Sequence, residues 1–197
     1  MNSKITYLAK SGYKGAIILV VLLGVAILLG LKNLAFLFVI ALVGWVYMFR
    51  NPERVALHLS DNALLAPIDG EIKQIQSVGD KCIITIESKI FDVGVIRSPL
   101  NIQNYQISQI YGIPLYLSQK RDFFNSKVEF CFGENKMIFS PRLFHIFPLK
   151  SSITTLERGE RMGFMKGEVQ MEIKNLETKL NVGDKVRGGE SVLGYLQ

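Results

Sequence analysis

Two uncharged apolar runs lie back to back near the start of this chain, and no other feature restricts its fold so strongly. Gly15 to Leu31 reads GAIILVVLLGVAILLGL and Leu34 to Phe49 reads LAFLFVIALVGWVYMF, with only Lys32 and Asn33 between them. As a helix rising about 1.5 Å per residue, each run spans roughly 25 Å, a little under the ~30 Å hydrocarbon core of a bilayer, and flanking Lys and Arg can snorkel across the shortfall. The expected element is a two-helix transmembrane hairpin within residues 1–54. A cleaved signal peptide is the rival for the first run, but the second run follows at once with no small-residue cleavage site between them.

The charges around the runs set an orientation. Lys4, Lys10 and Lys14 precede the first run, Arg50 and Arg54 follow the second, and the turn carries only Lys32. Both ends are therefore expected on the cytoplasmic side of the cell (inner) membrane, with Arg50 and Arg54 at headgroup depth as interfacial anchors. The net charge of +6 belongs to these flanks: residues 1–54 hold six Lys/Arg against Glu53 alone, and residues 55–197 hold seventeen basic against sixteen acidic side chains. The remainder has no basic patch interleaved with aromatics, which argues against a nucleic-acid partner.

Cys82 and Cys131 are the only cysteines, each within an alternating apolar stretch. Buried, reduced thiols in a cytosolic domain account for them. His58 and His145 have no Cys or His at ligand spacing, so no metal site is expected.

Residues 55–197 read as one all-β domain. The runs EIKQIQSV, KCIITIES, FDVGVI, KVEFCFG, KMIFS and VQMEIK are β-rich and are punctuated by Asp69-Gly70, Gly79-Asp80, Gly133-Glu134 and Gly183-Asp184. Ala66-Pro67-Ile68-Asp69-Gly70 and Val182 to Val186 followed by Gly188-Gly189 have the turn chemistry of a compact sandwich barrel, in which Asp bonds its own backbone and Gly supplies positive φ. Biotinyl and lipoyl carriers share such turns but present a modifiable Lys at an apolar hairpin tip, which Met165-Lys166-Gly167 imitates poorly. Membrane-fusion-type adaptors also use these barrels, with long coiled-coil heptads that this chain lacks.

Several short motifs recur in a fixed order. Phe49-Arg50-Asn51-Pro52-Glu53-Arg54 resembles the F-R-D-P-E-R element that follows the membrane anchor of short phosphatidylserine decarboxylases. Ala66 to Gly70 resembles that family's S-P-A-D-G, and Phe91 to Pro99 resembles F-N-V-H-V-N-R-S-P. Gly159 to Lys166 resembles the stretch leading to the family's processing site, and Val182 to Glu190 its V-G-D-K-V-x-x-G-E ending. Each piece alone is common turn chemistry, but their order and spacing behind a matching hairpin cover roughly residues 10–197.

The resemblance implies a proenzyme that makes its own cofactor. A Ser within a Gly-Ser step attacks the preceding carbonyl, the ester eliminates, and the new chain begins with a pyruvoyl ketone that forms a Schiff base with the serine headgroup. An Asp in the P-x-D-G element and a His in the N-V-H-V element assist. Asp69 stands at the Asp position, but Gly94 stands at the His position. The Ser position falls on Val169 in an ungapped alignment, or on Glu168 with a one-residue gap, and neither can attack. Ser151, Ser152 and Ser191 lie in other segments and do not replace it.

Two readings follow. In the first, the chain is a non-catalytic, lipid-binding or regulatory member linked to phosphatidylethanolamine metabolism, with no cofactor and no established protein partner. In the second, it is an active phosphatidylserine decarboxylase using an altered processing route and a pyruvoyl group. The missing Ser and His favour the first. In either, the bilayer is the partner, and Arg97 beside Ser98 is the candidate contact for a phosphatidylserine headgroup, a guanidinium being able to pair bidentately with phosphate or carboxylate.

Overall fold

A chain segment that is apolar on every side has no polar face to turn to water and, as a helix, suits a bilayer. In the computed structural model, which describes residues 7–54, 60–112, 126–146 and 155–197, the two apolar runs are helical. A 3-10 turn, Lys10–Gly12, leads directly into α1 (Tyr13–Leu28), and α2 (Lys32–Met48) follows. The stretch Lys10–Leu28 has 19 residues and a mean hydropathy of 2.1, long and apolar enough to cross a membrane; Lys32–Met48 is apolar but shorter. The criterion for spanning is thus met by the first of the two expected crossings only.

The chain divides into two units, Met1–Glu53 and Arg54–Gln197. Within the first, Gly30 adopts φ +71° in the turn between the helices, and the open end is tied by side chain and backbone. The Trp45 indole Nε1 donates to Gly12 O at 2.9 Å and its ring stacks on Phe49 with centroids 4.7 Å apart. Gly12 has no room for a side chain, since a β-carbon there would lie 2.7 Å from Phe49 Cβ. Leu8 and Arg50 form an antiparallel bridge, and Arg50 stacks on Tyr47 at 4.2 Å.

The second unit is β throughout its described residues. Its strands are β1 (Ala63–Leu65), β2 (Gly70–Val78), β3 (Lys81–Glu87), β4 (Val95–Arg97), β5 (Ile102–Gln103), β6 (Tyr105–Ile110), β7 (Lys127–Phe132), β8 (Asn135–Ile146), β9 (Thr155–Leu156), β10 (Arg161–Lys174), β11 (Leu176–Glu177), β12 (Lys185–Val186) and β13 (Val192–Leu196). The main sheet runs β12-β2-β3-β10-β8-β7-β6 and curls into a half-barrel, with β4 also paired to β10. A smaller sheet runs β1-β13-β11, and β5 pairs β9. The expected all-β domain is present. The short turns Gly79-Asp80 and Gly133-Glu134 join β2 to β3 and β7 to β8, as their composition requires.

Strand β10 organises the site. Its first residues pair β4, its last seven pair β3, and its other edge pairs β8. Side chains on a regular strand alternate between faces, and β10 does so except at Phe164–Gly167, where four successive residues are buried. The register against β8 shifts at Phe164/Lys166 and at Lys166/Gly167. The buried set therefore changes from even positions, Met162 and Phe164, to odd ones, Val169, Met171 and Ile173. Those odd positions join Ile84, Ile86, Met137 and Phe139 in the core. The expected strand FDVGVI is shorter than its composition suggested: it begins only at Val95, because Asp92 closes a turn with Lys89.

Candidate functional site

The Asp position of the resemblance forms a saturated polar corner. Asp69 accepts both guanidinium nitrogens of Arg54, NH1 at Oδ1 and NH2 at Oδ2 (2.7 Å), and its Oδ1 also accepts the Gly188 backbone N–H at 2.8 Å. Arg54 NH1 donates in addition to Gly188 O at 2.8 Å, and its Nε lies 3.7 Å from Glu190. The side chains of Arg54 and Asp69 are only 8 % and 13 % exposed. Burial works against the charged guanidinium, but the hydrogen bond and charge of Asp69, with Glu190, outweigh it and raise its pKa. Three motifs far apart in sequence meet here: Arg54 after the hairpin, Asp69 in the P-x-D-G turn and Gly188 in the final turn. Arg54, expected at headgroup depth, is bonded within the β unit, and Arg50 stacks on Tyr47 within the helical unit.

Arg97 and Ser98 are also turned inward. Arg97 is 4 % exposed, donates through NH1 to Gly159 O at 3.1 Å, and packs so closely on Gly189 that a β-carbon there would lie 2.6 Å from its Cδ. The Ser98 hydroxyl is fully buried and donates to Leu100 O at 2.7 Å.

Gly94, which the resemblance aligns with the family's His, packs against a buried cation, Lys166. A β-carbon on Gly94 would lie 2.6 Å from Met165 O, 2.8 Å from Phe164 Cζ and 3.1 Å from Lys166 Cε. The side chain of Lys166 is therefore packed against the place where a side chain at 94 would begin. Lys166 is 2 % exposed; its ammonium donates to Asp92 O and lies 5.5 Å from the centre of the Phe164 ring.

Glu168 and Val169, which the resemblance aligns with the family's Ser, lie within β10. Gly167 has φ +154° and approaches the Ser140 carbonyl and the Arg142 N–H (2.7 Å from its absent β-carbon) too closely for a side chain. Its carbonyl accepts Ser88 N–H at 2.8 Å. Glu168 lies outside, pairing with Arg142 at 3.3 Å, and Arg142 bridges to Glu87, which also binds Lys73 at 2.8 Å. These bonds, led by that from Lys73, hold the Glu87 carboxyl below the usual range. Val169 is fully buried between Ile86 of β3 and Phe139 of β8. Neither candidate for the Ser position carries a hydroxyl or thiol. The Ser191 hydroxyl accepts Arg187 N–H at 2.9 Å and closes a turn. Ser151, Ser152 and His58 lie outside the described residues, and no cluster able to hold a metal occurs among the described ones.

The burial of Lys166, which the sequence offered only as a poor likeness of a carrier lysine, and the role of Arg142 escaped the sequence reading. The only hint was the break in alternation at Phe164-Met165-Lys166-Gly167, and Arg142 gave no signal.

These features define a half-barrel β domain behind an apolar N-terminal helix, with a buried Arg–Asp corner and a bulged central strand. The curated proteins it resembles are named accordingly. A phosphatidylserine decarboxylase proenzyme of Geotalea uraniireducens is 26 % identical, with all of both chains covered. One of Geobacter metallireducens is 27 % identical over the same full extent, and one of Geobacter sp. 28 %, covering 94 % of this chain and 92 % of that protein. No family model and no solved structure matches the chain. The likeness to phosphatidylserine decarboxylase proenzymes thus extends over nearly the whole chain.

Proposed function

We propose that this chain is a membrane-anchored family member that does not process itself and serves phospholipid metabolism, at the step between phosphatidylserine and phosphatidylethanolamine, as a lipid-binding or regulatory subunit. The observation that carries this reading is the run Gly167-Glu168-Val169, which offers no hydroxyl or thiol where the family's Gly-Ser step falls. A pyruvoyl group made in place needs such a side chain at the break, so these residues do not fit it. Asp69, fully occupied by Arg54 and Gly188, acts as a fastener rather than an acid, and Arg97 and Ser98 brace the wall of the site through Gly159 and Leu100. In this reading both helices cross the bilayer, the second assisted by flanking Lys32 and Arg50, and both termini and the β unit lie on the cytoplasmic side.

A second reading, an active decarboxylase with an altered processing route, is favoured by the word proenzyme in the names of the relatives. Intact mass of the protein purified from membranes under denaturing conditions separates the two. One species near 22.2 kDa supports the first, and two fragments, the smaller lacking a free amino terminus, overturn it.

A further inference from the structure

Turn tips favour Gly, Asn, Asp and Ser, because these residues suit the backbone and tolerate water. The turn between β3 and β4 breaks that rule with two adjacent bulky apolar residues at its outermost positions. Ile90 is 41 % and Phe91 64 % exposed. The turn beneath them is firmly built: Lys89 N–H donates to Asp92 Oδ2 at 2.7 Å and Asp92 N–H to Lys89 O at 3.1 Å. Its base is fixed to β10, since Ser88 N–H donates to Gly167 O at 2.8 Å and the Lys166 ammonium to Asp92 O. Elsewhere on the β unit Val78 and Val182 are exposed singly, which is ordinary for a surface. Ile110 and Tyr111 form another pair, but they run into residues outside the described part.

We propose that Ile90 and Phe91 form a wedge that enters the bilayer surface and holds the bulge of β10 at headgroup level. The occupant follows from the chain itself. It carries an apolar helix fit to cross a membrane, and the tether is short: Met48 and Arg54 are six residues apart, at most about 20 Å of extended chain, and Arg54 is pinned by Asp69. Lys89, beside the wedge, is neutralised by Glu71 at 2.7 Å. Apolar area rather than charge therefore drives insertion, which is then independent of anionic lipid. A shallow wedge sits roughly 5–10 Å into the boundary between headgroups and chains.

This inference rests on the membrane anchoring proposed above and not on the absence of processing. The test uses the full chain in vesicles of phosphatidylethanolamine and phosphatidylglycerol, with Cys82→Ala and Cys131→Ser and a fluorescent label on either Phe91→Cys or Val182→Cys. The label at 91 is expected to be quenched several-fold more than that at 182 by a nitroxide on the lipid chains, and to be shielded from iodide, at low and high phosphatidylglycerol alike. If the protein floats with the vesicles but the label at 91 is as open to iodide as that at 182, the wedge is wrong while anchoring stands. Shielding from both quenchers means that a protein covers the tip, which also overturns the wedge. Failure to float removes anchoring and wedge together. Should the cysteine-free background not fold, Phe91→Trp in the otherwise native chain, read as quenching of the added fluorescence by brominated lipid, decides the same question.

Discussion

The corner at Asp69 and the bulge at Gly167 are both assembled from segments that resemble the family's motifs, yet the two differ in what their side chains do. At the corner, the side chains resembling the family's are present, and each polar atom of Asp69 and Arg54 has an internal use. At the bulge, the residues that the resemblance aligns with the family's Ser, Glu168 or Val169, carry no hydroxyl or thiol, while the strand pairs neighbours on both edges. If the proposed reading holds, the contrast teaches that a motif can outlast its chemistry where it also carries load in the fold. Asp69 joins its own turn to Arg54 and Gly188, three segments distant in sequence, whereas Gly94 and Val169 contribute backbone bonds and packing.

The most severe way to break this contrast is to remove the corner. Asp69→Ala leaves the Arg54 guanidinium buried without its carboxylate, and breaking a buried pair from one side typically costs about 3–5 kcal/mol. Denaturation of the full chain in detergent should show a loss of that order, and Arg54→Ala with Asp69→Ala should cost far less than the sum of the two. A loss below about 1 kcal/mol, the range of exposed pairs, would show that the corner is not a fastener.

Gly94→Ala tests the other side. Its β-carbon meets the Met165 carbonyl and Phe164 before it meets Lys166, so overpacking should cost about 1–3 kcal/mol in the same assay. Adding Lys166→Ala relieves only the Lys166 contact and should recover only part of the loss. Full recovery would mean that Lys166 alone fills the vacated position.

Much of this was readable in the residues. Glycine-bearing turns at fixed spacing and alternating apolar runs gave the β domain, and uncharged stretches at residues 15–31 and 34–49 gave the helices. What escaped depends on tertiary placement. Arg54 reads as a membrane flank because it follows an apolar run, and only the approach of Gly188 and Asp69 explains its burial. The burial of Lys166 leaves no sign in the sequence, because a bulge that reverses the facing of β10 leaves no period where Phe164, Met165 and Gly167 could each face either way. The length of α2 shows the opposite limit: its composition suits a bilayer, while its 17 residues fall short of a full span.

Val169→Ser asks whether a hydroxyl alone restores processing. The position is fully buried and faces Ile86 and Phe139 across the sheet, so an unpartnered hydroxyl should cost about 1–3 kcal/mol. With Gly94 unable to move a proton and Asp69 held by Arg54, the chain should keep its intact mass. Fragments appearing in this variant would show that the Ser was the sole missing part, and would place Asp69 back in the chemistry.

The smallest expected effect lies in the charge chain outside the bulge. Lys73 and Arg142 lower the pKa of Glu87 in the folded state, so folding favours its ionised form. That contribution is complete above the ordinary carboxylate value near 4.3 and fades as pH falls through the lower folded value. The stability difference between the native chain and Glu87→Gln should therefore be constant from about pH 7 to 5 and shrink below about pH 4. Because Glu168 shares Arg142 with Glu87, Glu168→Gln should leave Arg142 bound more completely to Glu87 and move this fade to still lower pH. A difference that does not change with pH would mean that packing of the Glu87 stem, rather than its charge, holds this face, and the contrast between a charged outer surface and an apolar Val169 side of β10 would lose its electrostatic half.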